Sequence, residues 1–455
     1  MKRDMERDIL EEYVLIASMI KWLLISIGIG FVVGGATAVF IKLVGTASEF
    51  THRYKYYYLL MPIAFFLSSY IVLKLAPDAE GHGTEKAIEA VNKRAGKMNI
   101  KVVPVKLLTT LITIIFGGSV GMEGPATQIG AGISSKIGEV LKLNDVDRKR
   151  VVICGIASGF VGVFGSPVGA AVFAAEVLCI GQFAYLALFP SLISAFVSFF
   201  VGRSLGTKPL IQYFVNMKEF STSVMLFRMI VFGMIIGVLA MAFIRFVNFV
   251  ERCFQNLNIY QPLKGIIGGI LVILVVLITG SEAYMGIGEE IIEKAVEGHA
   301  VNPFAFFWKT ITTSFTLGSG GSGGILTPML YVGATAGNVW ANIVNGSTAF
   351  YAAIGMVSFL ASCANTPIAG IVMSMELFGS EVGMYAAIVC VISYLIVGHK
   401  SIYPTQILVR SKTPSLFMDT DCEICKVDKK FVIKNSFLKR IVTNNNSNVD
   451  NKLNK

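Results

Sequence analysis

One ionisable side chain lies in a glycine-rich loop between two apolar runs, in the segment GGSVGMEGP at Gly117 to Pro125. Pro125 suits the first turn of a helix, so Gly121 to Gly124 are expected to form the loop that precedes it. Bare glycine backbone and the positive end of a helix dipole together favour a bound anion. The carboxylate of Glu123 would compete with that anion for its site, and would accept a proton when it swings away. A helix-capping acid without a role in transport is the alternative interpretation.

This loop has a counterpart later in the chain, which indicates an internal duplication. Gly118 to Pro125 matches Gly321 to Pro328, and two further matches keep the same order. The further matches are GHGTE at Gly81 to Glu85 with GIGEE at Gly286 to Glu290, and Ser166-Pro167 before Glu176 with Thr366-Pro367 before Glu376. The order predicts a duplicated domain with halves at about residues 20–202 and 222–398. The spacing alone leaves open whether the halves run parallel or inverted.

The repeated loops supply three candidate helix N-termini. GSGGILTP offers bare N–H groups before Pro328 without a competing acid, and GHGTE opens the helical pattern KAIEAVNKR. Three such termini meeting near the bilayer midplane would hold an anion without a full positive charge. Such a site would allow both binding and rapid release.

The elements that position these loops are expected to be membrane helices. Of the 455 residues, 54% are hydrophobic and 15% are charged, whereas a soluble protein has about 25% charged residues. No Asp, Glu, Lys, Arg or His occurs from Thr310 to Met375, which is more than two membrane crossings of about 20 residues each. The sequence therefore predicts an all-α, multi-pass protein of the cell membrane, in contact with the lipid bilayer.

The net charge of +10 does not indicate a nucleic-acid partner, because the basic residues cluster in short connections and tails. Clusters at residues 93–101, 148–150 and 429–440 are typical of cytoplasmic loops. We expect residues 1–19 to form a cytoplasmic N-terminus and residues 20–410 the membrane domain. Residues 411–455 are expected to form a short polar cytoplasmic tail that is partly disordered.

Neither a metal site nor an enzyme is favoured by the remaining motifs. Cys422 and Cys425 form a lone C-x-x-C without the second half of a zinc ligand set, so neither a metal nor a cofactor is expected. The segment around Ser322 fits the G-x-S-G of intramembrane serine proteases, which also need a histidine base. The four histidines lie in predicted loops or at span ends: His52, His82, His299 and His399. Proteolysis therefore remains a remote alternative.

The three loops resemble those of the CLC family of chloride channels and transporters. That family carries G-S-G-I-P, G-[RK]-E-G-P and G-x-F-x-P, followed by a late tyrosine. Here the corresponding segments are GHGTE at Gly81, GMEGP at Gly121 and GILTP at Gly324, with Tyr403 in SIYPTQILVR. The resemblance covers about residues 20–410. It implies two inverted repeats of tilted and broken helices, a homodimer, and transport of chloride or a similar small anion, with protons as a potential co-substrate.

The resemblance also implies roles for individual residues. Glu123 matches the gating glutamate, Ile325 and Leu326 match the backbone of the central anion site, and Tyr403 matches the tyrosine whose hydroxyl touches the central anion. The alternative for Tyr403 is an interfacial aromatic anchor. The complete set of expected anion-binding residues is His82, Gly83, Gly121, Gly124, Ile325, Leu326 and Tyr403.

Several positions depart from the family pattern. His82 replaces the anion-coordinating serine, where it would either donate to an anion or face a vestibule, and Met122 replaces a basic residue. Val177 follows Glu176 at the place of the internal proton acceptor, which favours uncoupled or atypically coupled flux. Glu176 itself is expected to be structural, because Glu376 occupies the same place in the other half.

The departures also leave the transported ion open. Selection of a cation would need rings or pairs of acids along the pathway, and only Glu123 is well placed for that. Fluoride remains an alternative to chloride. We expect no paired nucleotide-binding modules of the kind that some family members carry, because residues 411–455 are too few for them.

Overall fold

The structure, a computed structural model, describes residues 2–51, 53–208, 222–427 and 432–433, which form sixteen α-helices and five short strands. The first eight helices are α1 Lys2–Thr51, α2 Met61–Leu75, α3 Thr84–Lys93, α4 Val102–Ile115, α5 Glu123–Val140, α6 Asp145–Phe164, α7 Pro167–Glu176 and α8 Tyr185–Ser204. The second eight are α9 Thr222–Gln255, α10 Gln261–Thr279, α11 Glu289–Val296, α12 Ala305–Gly318, α13 Leu326–Ile343, α14 Thr348–Ala364, α15 Pro367–Phe378 and α16 Ser380–Val397.

The helices divide into long apolar spans and shorter, buried pieces. Within the described residues, α1, α2 with the turn before it, α8, α9, α10 and α16 are long and apolar enough to cross a membrane. Helices α5 and α13 begin inside the protein, and nearly all of their first eleven residues are buried. Broken helices at membrane depth are stable where their ends pack on protein or line a cavity. The prediction of an all-α, multi-pass membrane fold is confirmed.

The two halves use matching helix-end signals, as the duplication predicts. Pro167 begins α7 and Pro367 begins α15, each in the first turn, where a missing N–H costs nothing. Helix α6 ends at Gly165 and α14 at Asn365, both in the left-handed conformation. The local start and stop signals therefore repeat between the halves even where the residue type changes.

The halves are related by an approximate two-fold axis. Gly121 and Gly324, which are repeat partners, form an antiparallel bridge, with Gly121 N to Gly324 O at 2.7 Å and Gly324 N to Gly121 O at 2.8 Å. The Glu176 carboxylate accepts hydrogen bonds from the start of α15, and the Glu376 carboxylate accepts them from the start of α7. Because each partner makes the same contact to the other half, the contacts are reciprocal, as a two-fold relation requires and in keeping with the inverted repeats that the resemblance implies.

Close helix packing in each half depends on small residues. A Cβ atom added to Gly130 on α5 would collide with the carbonyl of Gly155 on α6. The repeat partners Gly333 on α13 and Gly355 on α14 make the same close approach. Such backbone contact is a common basis of helix association in lipid, where the hydrophobic effect between helices is weak.

The basic connections and part of the tail gather at one end of the bundle. Lys21 Nζ on α1 lies 2.7 Å from Asp147 Oδ2 on α6, and Lys93 at the end of α3 pairs with Glu423.

The strands are β1 Cys179–Ile180, β2 Ile407–Leu408, β3 Leu416–Phe417, β4 Cys422–Glu423 and β5 Val432–Ile433. Strand β2 pairs parallel with β1 and antiparallel with β4, and β3 pairs with β5.

The structure differs from the sequence-based boundaries near residues 20 and 411. Helix α1 continues through the boundary expected near residue 20, because no helix-breaking residue occurs there. In the expected tail, residues 411–427 return to the membrane domain through strand β4 and Glu423. The rest of the tail apart from residues 432–433, with every basic residue of its cluster, lies outside the described residues, as does His52.

Candidate anion-binding site

The site centres on the bridge between Gly121 and Gly324, where the loops before α5 and α13 meet. A Cβ atom on Gly121 would collide with Thr327 Oγ1 and would lie 2.6 Å from Glu123 Oε2. A Cβ atom on Gly124 would collide with the His82 carbonyl. These glycines are therefore required for three loops to approach one another, in addition to leaving backbone N–H groups bare.

Helix α5 begins earlier than the sequence suggested. Its N-cap is Met122 and its first residue is Glu123, so Glu123 and Gly124 belong to the first turn rather than to the loop. The reason is that Met122 O already accepts a helical hydrogen bond from Ala126 N at 2.9 Å. Pro125 lies at the third helical position, where an N–H would also lack an intrahelical partner. The prediction that the loop extends to Gly124 was wrong.

The Glu123 side chain is fully buried at the junction of the two halves. Its Oε2 accepts a hydrogen bond from Thr327 Oγ1 in the first turn of α13, whereas Oε1 has no hydrogen-bond partner among the described residues. Thr127 Oγ1 donates to the Glu123 carbonyl at 2.6 Å and so ties the turn together. The carboxylate thus lies against the second helix N-terminus of the pair.

Thr327 is a site residue that the sequence reasoning missed. It occupies the fourth position of GILTP, next to Leu326, which is the repeat partner of Glu123. The hydroxyl in the segment was therefore visible, but its direction toward Glu123 depends on how the two halves meet. Ile325 and Leu326, both buried, begin α13 as its N-cap and first residue, as the helix-start prediction requires.

A second group of buried polar atoms surrounds the start of α3. Tyr403 Oη, His82 Nδ1 and Thr84 Oγ1 have no hydrogen-bond partner among the described residues. Gly83 is the N-cap of α3 and has a φ of 78°, a conformation that favours glycine. Tyr403 is 0% exposed, so the alternative of an interfacial aromatic anchor does not fit.

The loop that carries Tyr403 is held by a buried polar network. Tyr403 N donates to Ser401 Oγ at 2.9 Å, and Ser401 Oγ donates to Gln406 Oε1 at 2.6 Å. Gln406 Nε2 in turn donates to the Val177 carbonyl at 2.6 Å and to the Ala364 carbonyl at 2.8 Å. The tyrosine is therefore fixed relative to the ends of α7 and α14.

Two cavities approach the glycine bridge. The larger, of about 1080 Å³, is lined by Met122 and by Gly288 and Glu289 at the start of α11. The smaller, of about 400 Å³, is lined by His82 and Ser322. His82 therefore borders the smaller cavity, which we call a vestibule, with a side chain that is 6% exposed. Glu123 follows Met122 in the chain, is fully buried and lines neither of these two cavities.

The acids at the ends of α7 and α15 cap helices. Glu176 accepts hydrogen bonds from Ile368 N at 3.1 Å and Ala369 N at 2.8 Å, in keeping with the structural role expected for it. Val177 is fully buried next to it, so the position of an internal proton acceptor is apolar.

The serine of the protease-like motif and the two cysteines of the C-x-x-C motif have other surroundings than those sites need. Ser322 Oγ is hydrogen-bonded to Thr109 Oγ1 at 3.0 Å and lies 3.3 Å from Thr110 Oγ1, with no histidine bonded to it among the described residues. This arrangement does not activate a nucleophile. Within the part of the chain that the structure describes, Cys422 and Cys425 do not belong to any cluster of three potential metal ligands.

Gly121→Ala is expected to reduce anion transport at least about tenfold, because the added methyl group would push apart the Thr327 hydroxyl and the Glu123 carboxylate. Efflux from proteoliposomes would measure the change. Gly28→Ala on α1 is a matched control, since its Cβ atom would meet nothing within 4 Å and Gly28 lines neither cavity. Equal rates in both variants would contradict the required close approach.

Comparison with known proteins adds an independent line of evidence. The chain matches the family model for voltage gated chloride channels over residues 64–398. It is 34% identical over 413 residues to a chloride/fluoride channel protein of Pseudomonas syringae pv. tomato, covering 88% of this chain and 90% of the relative. An H(+)/Cl(-) exchange transporter ClcA of Vibrio campbellii is 25% identical over 335 residues, 69% of each chain. A solved CLC-type fluoride/proton antiporter is similar with a TM-score of 0.79 and 27% identity, covering 85% of this chain and 97% of that chain.

Proposed function

We propose that this chain, which belongs to the voltage-gated chloride channel (CLC) family, exchanges small halide anions for protons across the cell membrane, with Glu123 as the group that serves both ions. Members of this family transport anions through the membrane, and the apolar spans of the chain agree with a multi-pass membrane protein. The finer proposal depends on the environment of one carboxylate.

The observation that supports the proposal most directly is the position of Glu123. A fully buried carboxylate at a helix N-terminus occupies the kind of place that favours an anion. With Oε2 bound by Thr327 and Oε1 without a partner, an arriving anion could replace the carboxylate at the shared donors. The displaced carboxylate would then take up a proton, because a buried charge without a partner is costly.

The unpartnered atoms near α3 fit an anion pathway that continues past Glu123. Tyr403 Oη and Thr84 Oγ1 are hydroxyl donors, and His82 Nδ1 is a donor in one tautomer. Buried polar atoms usually have a hydrogen-bond partner, so several without one in a single region favour a polar ligand. These atoms and the α13 N-terminus would replace the hydration shell of the ion.

Fluoride is the anion that we propose as the preferred substrate. Fluoride is small, and its high charge density makes it a strong acceptor for hydroxyl and amide donors, which the site offers at Thr327 and around Tyr403. Met122 stands where the family pattern has a basic side chain, so selection in this loop would depend on hydroxyl and amide donors rather than on a full positive charge. The names of two similar proteins, one a chloride/fluoride channel and one a fluoride/proton antiporter, agree with this choice.

Uncoupled anion flux is the second candidate function. It is favoured by Val177, because a buried apolar side chain cannot receive a proton from Glu123. In an antiporter, protons would therefore have to leave Glu123 by a route that does not use this position.

Purified protein in liposomes would test the proposal. With fluoride inside and valinomycin present, we expect fluoride efflux at an ion-selective electrode together with proton movement in the opposite direction, and slower efflux of chloride. Anion efflux without opposed proton movement would favour the uncoupled candidate, and the absence of both fluoride and chloride efflux would refute anion transport.

We also propose a homodimer and a cytoplasmic location for the basic end of the bundle. Helix α8 exposes large apolar side chains, including Tyr185, Leu186 and Phe200. Helix α16 does the same with Met384 and Leu395. The sidedness follows from the excess of Lys and Arg in the short connections at that end.

A further inference from the structure

A second repeated motif lies outside the glycine loops. Helix α4 contains KLLTTLIT at Lys106 to Thr113, and α12 contains KTITTSFT at Lys309 to Thr316. Both read K-x-x-T-T-x-x-T, and the two copies have the same offset as the glycine loops. At helical spacing, positions one, four, five and eight of the motif fall on one face. A polar face on an otherwise apolar membrane helix needs buried partners.

The two lysines make the same contacts in the two halves. Both side chains are 0% exposed. Lys106 Nζ donates to the carbonyls of Ala79 at 3.1 Å and Gly81 at 2.7 Å, immediately before α3. Lys309 Nζ donates to the carbonyls of Met285 at 3.3 Å and Gly286 at 2.7 Å, shortly before α11. Lys106 thus holds the turn before α3, and Lys309 holds the turn before α11.

Each pair of carbonyls also borders a cavity. Ala79 and Gly81 line the smaller vestibule, next to His82. Met285 and Gly286 line the larger one, next to Gly288 and Glu289. One buried lysine side chain therefore lies behind the wall of each cavity.

The threonines of each motif hold the glycine loop of the other half. In the first copy, Thr109 Oγ1 donates to Ser322 Oγ at 3.0 Å, and Ser322 N donates to Thr113 Oγ1 at 3.1 Å. In the second copy, Thr312 Oγ1 donates to Ser119 Oγ at 3.1 Å, and Ser119 N donates to Thr316 Oγ1 at 3.2 Å.

Ser119 and Ser322 are repeat partners that lie within a few residues of the glycine bridge. The contacts therefore cross between the halves in both directions and fix both loops. Each copy of the motif therefore contacts the wall of one vestibule through its lysine and the glycine loop of the other half through its threonines.

Neither lysine has an acid in direct contact among the described residues, although Glu80 lies near enough to Lys106 to attract it. Among the described residues, neither Lys106 nor Lys309 forms an ion pair with an Asp or Glu side chain. Carbonyl oxygens satisfy two of the three ammonium donors but carry no net negative charge. A buried cation without a counter-ion is costly, and a passing anion would offset part of that cost. In the segment before α5, Met122 stands where the family pattern has a basic residue. Lys106 and Lys309 would supply positive charge from the neighbouring helices α4 and α12.

We infer that Lys106 and Lys309 are positioning residues that set the anion affinity of the two vestibules, each by fixing a helix N-terminus and by supplying a buried positive charge. This inference rests on the proposed transport function. A unit charge about 10 Å from an anion, at an effective dielectric constant of about 20, changes affinity roughly tenfold. Loss of either charge is therefore expected to weaken anion binding by at least that factor.

The test uses Lys106→Met and Lys309→Met, which keep an unbranched side chain one atom shorter but remove its amino group. We expect the fluoride concentration that gives half-maximal efflux to rise about tenfold in each, with the maximal rate changed much less. Fluoride-dependent thermal stabilisation of the purified protein should shift to higher concentrations by the same factor. Lys106→Arg and Lys309→Arg should retain most of the affinity, and Lys97→Met, at an exposed lysine, should retain all of it.

The outcomes separate this inference from the proposed function. Folded Met variants with the wild-type half-saturating concentration would overturn the inference and leave anion transport intact. If the Met variants do not fold, the Arg variants decide, because folded Arg variants that lose the affinity would show that the retained charge does not set it and would also overturn the inference. A wild-type protein that neither binds nor moves anions would overturn both.

Discussion

Replacing Glu123 with alanine should abolish proton movement while anion flux continues. The side chain is the only carboxylate at the glycine bridge among the described residues, and no acid follows Glu176 to receive its proton. Removing it also removes the carboxylate that competes with the anion for the donors at the α5 N-terminus. Anion binding then no longer requires the carboxylate to move. Simultaneous recording of fluoride efflux and internal pH should show at least about a hundredfold loss of proton transport, the scale of a lost acid–base group.

Two further variants sharpen this prediction. Glu123→Gln keeps the hydrogen bond to Thr327 but cannot take a proton in exchange for an anion, so it should show slow flux of both ions. Thr327→Val keeps the volume and removes the donor, so it should free the carboxylate and change the anion rate without abolishing coupling. Proton movement that persists in Glu123→Ala would refute the role of this residue in coupling.

The glycine loops show how far the sequence alone can lead. The order of the three loops predicted a duplicated membrane domain and identified Glu123, because an isolated acid between apolar runs is expensive at membrane depth. The spacing of Pro125 misled the estimate of where α5 begins, since proline fits any of the first helical positions. The error moved Glu123 from a loop into a first turn, but it did not change the residue that was chosen.

Contacts between the halves were beyond the sequence reasoning. The hydroxyl of Thr327 and the crossing contacts of Ser119 and Ser322 depend on how the repeats meet, which no local pattern encodes. The K-x-x-T-T-x-x-T copies were present in the sequence, yet a lysine beside threonines in an apolar run also fits a span end. An internal comparison extended from glycine to polar residues would have found Lys106 and Lys309.

Glu176 and Glu376 make equivalent contacts in the two halves, so their substitution tests whether the repeats are equivalent. Glu376 accepts hydrogen bonds from Ser166 Oγ, from Val168 N at 3.0 Å and from Gly169 N at 2.8 Å. Glu176 accepts two, from the corresponding backbone groups of α15. Each acid therefore satisfies the exposed N–H groups at a helix start in the other half and complements its dipole.

Glu376→Ala and Glu176→Ala are both expected to lower the free energy of unfolding by about 2 to 4 kcal/mol, because each leaves two or three donors without a partner. The loss should be larger for Glu376, which accepts from one more donor. Thermal unfolding of the purified protein would measure it, with Glu381→Ala, at an exposed acid in the first turn of α16, as the matched control.

The same variants decide whether Glu176 has any part in proton transfer. If its role is capping alone, Glu176→Ala and Glu376→Ala should reduce stability in parallel, while the ratio of protons to anions in the surviving protein stays unchanged. A changed ratio in Glu176→Ala but not in Glu376→Ala would break the equivalence of the repeats at this position. Protons would then leave Glu123 toward the end of α7, although Val177 blocks the adjacent position with an apolar side chain.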